Sequence, residues 1–300
     1  MLVSSLGLLF FTHEGSKPEI DRAYFKIPET EKIDQVTLTS SQGKINLKYE
    51  GIRWRVNERW DADMQMIKVL FATLQQAEPR RPVAASMKDS ISQWLIKNGT
   101  QISLVENGDP KINFLAGGNV LKTETWFLKE GDTQPYVMNI PGYRVYVGGV
   151  LELDESGWRN KRIFDFNWRN FKSLTSRYTK DPKQSFEIEM KGRFFGIKDL
   201  TTVDTTKLNN YLDAVSLLFA SKYLSPGQHL PDSLVATVPA IQIEIKDIAS
   251  RVYLLELFTP RKQDTEIYGR LADGQIVALE KNKIAEIVRR KDYFLSGRGR

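Results

Sequence analysis

The sequence predicts an α+β fold, built as two tandem copies of an antiparallel-sheet module with a helix pair on one face. Two observations carry this expectation. The 300-residue chain repeats its own pattern at an offset of about 141 residues: Lys44 to Lys48 and Gly51 fall on Ser185 to Glu189 and Gly192, and Gln101 to Val105 falls on Gln242 to Lys246. Within each copy the hydrophobic period is 2, then switches to 3.6, then returns to 2. The expected division is an apolar N-terminal segment and tether over 1–22, a first module over 23–160, and a second module with a basic tail over 161–300.

In the first module, Gln35 to Thr39, Lys44 to Tyr49 and Ile52 to Val56 alternate apolar and polar residues between turns at Ser41-Gln42-Gly43 and Glu50-Gly51, the pattern of an antiparallel meander. Asp61 or Asp63 then supplies an N-cap. Ile67, Leu70, Phe71 and Leu74 recur at helical spacing. Pro79 and Pro82 end that helix, and Ser86-Met87-Lys88-Asp89 reads as a capping box opening a second helix with Ile91, Trp94 and Leu95 inward. Strands follow over Thr100–Glu106, Lys111–Leu115, Glu124–Leu128 and Tyr136–Ile140.

The second module repeats the order. Strands are expected over Gln184–Met190 and Arg193–Ile197, then a helix capped near Asp204 and running through Leu208, Tyr211, Leu212, Val215, Leu218 and Phe219. Leu224 to Pro231 replaces the proline-rich connector. Three strands, over Ala240–Asp247, Arg251–Thr259 and Glu266–Arg270, and a short helix with Ile284, Ile287 and Val288 complete it.

Composition narrows the chemistry. Cysteine is absent, which removes disulfides, thiolate nucleophiles and Cys-ligated zinc. The two histidines, His13 and His229, lie in a tether and a proline-flanked loop, and no Gly-x-Ser-x-Gly elbow or phosphate-binding glycine loop occurs. Asp61-x-Asp63 reads as a helix cap and not as a metal pair. Glu152, Asp154 and Glu155 read as a solvated turn, and Gly117-Gly118 and Gly148-Gly149 as turns or bulges. The expectation is therefore no catalytic residue, metal or cofactor, and no enzyme activity. The net charge of +6 is concentrated toward the C-terminus, at Arg289-Arg290-Lys291 and Arg298-Gly299-Arg300, so it does not by itself imply a basic groove.

One stretch interleaves bases with aromatics. Trp158-Arg159-Asn160-Lys161-Arg162 and Trp168-Arg169-Asn170-Phe171 span the junction of the two modules, and Phe164 and Phe166 match Ala23 and Phe25 as the lead strand of a repeat. Trp158, Arg159, Lys161, Arg162, Trp168 and Arg169 are the candidate binding residues, as a stacking and cationic surface. The plainer reading has the arginines stacking on tryptophans to hold structure.

Met1 to Phe11 is apolar apart from Ser4 and Ser5 and is followed by a polar run to Pro18. About eleven residues are too few to span a bilayer core, which needs about 20. Two readings stand: the C-terminal half of a membrane anchor that begins upstream, or an apolar segment packed on the domain.

Pro135 to Tyr143, Trp158 to Phe164, and Ile52-Arg53-Trp54-Arg55-Val56-Asn57 with the acidic cap and helix after it resemble the bacterial domain-of-unknown-function 4340 family, over nearly the whole chain from about Tyr24. The resemblance implies a repeated domain held outside the cytoplasm by one N-terminal transmembrane helix, in some members linked with gliding-type ABC transport components. It brings no established active-site residues. The leading expectation is a non-enzymatic, membrane-tethered binding or scaffold protein facing the periplasm, with a protein partner in the envelope and no nucleic acid. The alternative is a soluble polyanion or nucleic-acid binder that uses the junction. An enzyme working through two carboxylates alone is the third reading.

Overall fold

In the computed structural model, residues 20–27, 29–166, 168–224, 238–260 and 264–295 are described. Met1 to Phe11, both histidines, most of the Leu224 to Pro231 connector and Arg298 to Arg300 lie outside them. The chain forms two compact units, Met1–Asn160 and Lys161–Arg300. Each is a mixed α/β structure around one antiparallel sheet, of nine strands in the first and eight in the second among the described residues.

The first sheet is assembled from β1 (Gln35–Ser40), β2 (Gly43–Tyr49), β3 (Trp54–Val56), β4 (Trp60–Asp61), β5 (Glu78–Pro82), β6 (Thr100–Glu106), β7 (Asp109–Gly118), β8 (Thr125–Lys129) and β9 (Tyr136–Asn139), in the spatial order β4-β3-β2-β1-β6-β7-β8-β9-β5. Alternation sends Val36, Leu38, Leu47, Ile102 and Leu104 to one face. Helix α1 (Met64–Gln76) buries Ile67, Leu70 and Leu74 against the same core, and the Asp63 carboxylate caps it by accepting from the Gln65 and Met66 amides.

Four local expectations are corrected. The Pro79–Pro82 connector is the strand β5, paired with β9 at the sheet's edge, where a proline's missing N–H does no harm. The Ser86 capping box does not form: α2 (Ala85–Asn98) starts one residue earlier and has no side-chain cap. Trp94 is not inward but more than one-third exposed, edge-on to Trp126. The helices also do not share a face. Ile91 and Leu95 of α2 pack with Trp126, Leu128 and Val137, whereas Phe127 and Met138, their neighbours along β8 and β9, belong to the α1 side. Because side chains alternate along a strand, α2 covers the opposite face, which is why β8 is buried on both.

The second sheet comprises β10 (Phe171–Tyr178), β11 (Phe186–Lys191), β12 (Phe194–Ile197), β13 (Lys222–Tyr223), β14 (Ile241–Asp247), β15 (Val252–Leu257), β16 (Glu266–Leu271) and β17 (Ile276–Glu280), in the order β12-β11-β10-β14-β15-β16-β17-β13. Helix α3 (Glu155–Trp158) ends the first unit; α4 (Thr205–Ser216) and α5 (Lys281–Ile287) belong to the second. Asp204 caps α4, which presents Leu208, Tyr211, Leu212 and Val215 to the core. The helix stops before Leu218 and Phe219, which leave it as an extended segment bridging to Arg162. Phe164 and Phe166 form no lead strand; Phe164 is simply buried in the core.

Each unit is closed by a buried aromatic from its C-terminal segment. The Asp63 amide donates to the Trp158 carbonyl at 2.8 Å, and the Asp204 amide donates to the Phe294 carbonyl at 2.9 Å. Both rings are fully buried. Trp158→Ala is expected to lower the unfolding free energy of the first unit by about 3–5 kcal/mol, measured by denaturant titration.

At the end of β14 the buried Asp247 carboxylate accepts from the Arg251 amide at 2.8 Å and from the Arg251 guanidinium at 2.6 Å. Burial alone would raise its pKa, but these two bonds override that and hold it below the ordinary 3.8. A depressed carboxylate stabilises the fold above the unfolded value and loses that contribution as pH falls through the folded one. Asp247→Asn should therefore lower the melting temperature at neutral pH, with the gap to the parent closing as pH falls below the ordinary 3.8 and through the folded value beneath it.

Candidate functional site

The six residues singled out from the sequence are divided between the units. Trp158 and Arg159 belong to the first. Trp158 is a core side chain with no exposed surface. The Arg159 guanidinium lies 3.6 Å from the centroid of the Trp60 ring, and Arg59 approaches the same ring at 4.4 Å. Glu155 completes this cluster, accepting from Trp60 Nε1 at 3.0 Å and from Asn57 Nδ2 at 2.7 Å. Asp154 of the same acidic run caps α3 through the Gly157 amide.

Lys161, Arg162, Trp168 and Arg169 belong to the second unit. The Lys161 carbonyl accepts from the Ala220 amide at 2.8 Å, and Arg162 lies 5.6 Å from the Phe219 ring centroid. Trp168 is half-buried in a nest with Phe166, Phe171 and Phe195, at centroid separations of 4.6 to 5.5 Å. Arg162 and Arg169 are exposed. Of the six, Arg159, Arg162 and Trp168 make aromatic contacts within their own units.

The described residues also contain an open groove of about 610 Å³ in the second unit. Its floor is the outward face of the sheet, with Thr175 and Arg177 on β10, Glu187 on β11 and Gln242 on β14. These residues are brought side by side by register, since Thr175 pairs with Glu187 and Arg177 with Gln242. Lys198 and Asp199, just after β12, form one wall. The other is the β10–β11 connection, with Tyr178, Thr179, Pro182 and Ser185, and Lys291 from the C-terminal segment.

The walls are tied down. Tyr178 donates its hydroxyl to the Arg289 carbonyl at 2.5 Å, and Ser185 Oγ accepts from the Tyr178 amide at 2.9 Å. Gln184 and Asp292 exchange two bonds, of 3.4 and 3.3 Å, across the same junction. Burial pushes the Tyr178 hydroxyl up to about 12, so it stays a neutral donor. Lys198 meets Glu187 at 3.3 Å, and that bond raises the lysine above its ordinary value. Arg177 reaches Glu244 at 3.7 Å. With three basic and two acidic side chains among hydroxyls and an amide, the groove can hold an extended polar ligand by matched charge and hydrogen bonding.

None of the groove residues was singled out from the sequence. The signal was available in the alternation of polar residues along Thr175-Ser176-Arg177, read with its paired strands. Among the described residues no three or more His, Asp or Glu side chains converge as a metal site.

The family model of the domain of unknown function (DUF4340) matches residues 54–235, more than half of the chain. The chain belongs to this family. No curated protein and no solved structure matches it. The DUF4340 match begins at the first residue of β3 and runs past β13, so it takes in parts of both units.

The Glu155 carboxylate holds two donors at once. Glu155→Ala in this DUF4340 chain is expected to cost about 1–3 kcal/mol and to free the Trp60 indole, seen as a shift in tryptophan fluorescence of the folded protein.

Proposed function

We propose that this protein is a non-enzymatic binding or scaffold module, tethered to a membrane by its N-terminal segment, facing out of the cytoplasm, and serving a transport or envelope machine. Its two units are read as tandem copies of one module. The observation that carries the reading is the strand order. Position by position, β3-β2-β1-β6-β7-β8-β9-β5 corresponds to β12-β11-β10-β14-β15-β16-β17-β13, and among the described residues β4 alone has no counterpart in the second unit.

Duplication leaves one copy free to diverge, and the outward sheet face is where the two differ. Register places Thr37, Thr39, Asn46 and Gln101 of the first unit where the second has Thr175, Arg177, Glu187 and Gln242. Asn57 donates its amide to the Asn46 carbonyl at 2.7 Å as Lys198 does to Glu187 at 2.8 Å. At these positions the first unit carries hydroxyls and amides and the second an Arg, Glu and Lys set. Charge added to a rigid face is how a scaffold acquires a partner.

Membrane anchoring is read from the apolar run from Met1 to Phe11. No helix among the described residues is long and apolar enough to cross a membrane, and that run lies outside them.

Two measurements test the proposal. Full-length protein is expected in the membrane fraction with its second unit accessible to protease from outside the cytoplasm; recovery as wholly cytosolic protein would remove the anchor. Crosslinking in the native membrane is expected to capture an envelope protein, with capture lowered about tenfold by Arg177→Glu combined with Lys198→Glu. Undiminished capture would remove the groove.

A further inference from the structure

The correspondence between the units has one gap. In the first unit the edge strand β3 is covered by β4, with Arg55 opposite Asp61 and Val56 opposite Trp60. The Ala62 amide donates to the Trp54 carbonyl at 2.9 Å, and the Arg55 guanidinium holds the Asp61 carboxylate at 2.7 Å. At the equivalent edge of the second unit, Phe195, Gly196 and Ile197 of β12 stand where Trp54, Arg55 and Val56 stand. Leu200 returns to the Ile197 carbonyl as Arg59 does to Val56, but the chain then forms no strand, and among the described residues no strand pairs with the outer side of β12. The β11–β12 register turns Phe194 and Gly196 toward β11 and leaves the Phe195 N–H and C=O pointing outward.

The edge is equipped for an occupant. A Cβ at Gly196 would lie 2.9 Å from Lys191 Cδ, so the lysine side chain runs across the glycine, and its ammonium donates to the Ile197 carbonyl at 3.1 Å, at the edge that Arg55 serves in the first unit. Phe194 is 76% exposed and lies on the same face as Gly196, two residues along. Lys191 and Arg193 share the hairpin with Glu189, which pairs with Gly196, so the charge there is mixed and the preference for an acid rests on the Lys191 ammonium and on the Asp61 position of β4.

We propose that β12 is a docking edge for an extended segment of a partner protein, added as an antiparallel strand, that carries an aromatic residue followed by an acid. Main-chain hydrogen bonds at Phe195 supply the pairing. Lys191 receives the acid opposite Gly196, and the aromatic lies opposite Ile197, as Trp60 lies opposite Val56. The inference rests on reading the two units as copies, and it concerns an edge separate from the groove residues.

The chain supplies its own probe. A fluorescent peptide of residues 58–63, Glu-Arg-Trp-Asp-Ala-Asp, is titrated with the full-length protein and followed by anisotropy. Saturable binding is expected, weakening with added salt, with amide shifts at Phe195 and Ile197. Lys191→Glu should weaken it about tenfold, Lys191→Gln by less, and N-methylation of the peptide's alanine, which removes the donor to the Phe195 carbonyl, by at least about tenfold. No binding up to about 1 mM, binding mapped elsewhere, or binding indifferent to both Lys191→Glu and the N-methyl group would overturn the proposal. Failure of the groove is read separately, in the crosslinking of the Arg177 and Lys198 variants.

Discussion

Everything in each unit is arranged around one closure. The main helix of a unit begins at an aspartate whose side chain caps the helix, while its backbone N–H donates to the carbonyl of a buried aromatic from the unit's last segment: Asp63 to Trp158, and Asp204 to Phe294. A helix N-terminus has amides without partners in the helix, and here the C-terminal segment is bound through one of them. The ring that follows fills the space between helix and sheet. The helix start, the core and the last described segment of each unit are thereby fixed together.

With closure provided, the two cores diverge in chemistry. The first is filled by aliphatics and by a cluster in which Phe25 stands edge-on to both Phe114 and Phe127. In the second, Tyr211 takes the helix position held by Leu70, and Ser176 the strand position held by Leu38, so two hydroxyls are buried where the first unit has methyl groups. Burial raises the Tyr211 hydroxyl far above its ordinary value and keeps it neutral. The polar character of the second unit therefore extends from the groove into the core beneath it. The first unit instead spends its charges on β4, where Arg53, Arg55 and Asp61 knit the edge.

The sequence was most legible where periodicity and capping act locally. The α1 stripe and its Asp63 cap follow directly from i, i+3, i+4 spacing, and β6 was placed to the residue at Thr100–Glu106. It was less legible where tertiary pairing overrides local preference. Two prolines mark a break in any local reading, yet β5 is held by β9, which lies more than fifty residues away in sequence. α2 was expected beside α1 because adjacent helices of like pattern read alike, while the side of the sheet each covers is set by the alternation in β8. The basic-aromatic run was visible, but its pattern does not separate a binding surface from internal stacking. Trp158 is buried and Arg159 stacks on Trp60, a residue ninety-nine positions earlier. The groove escaped notice because its charges come from two strands, the segment after β12 and the C-terminal segment, and only tertiary pairing brings them together.

The closure itself is open to a direct measurement, hydrogen exchange of the two capping amides. An N-cap amide ordinarily faces solvent and exchanges quickly. If the buried aromatic tail is what holds each unit closed, the amides of Asp63 and Asp204 will exchange only as slowly as the core strands β1 and β10 of their own units. Exchange of either amide at the rate of exposed turns, with the strands still protected, would contradict that account.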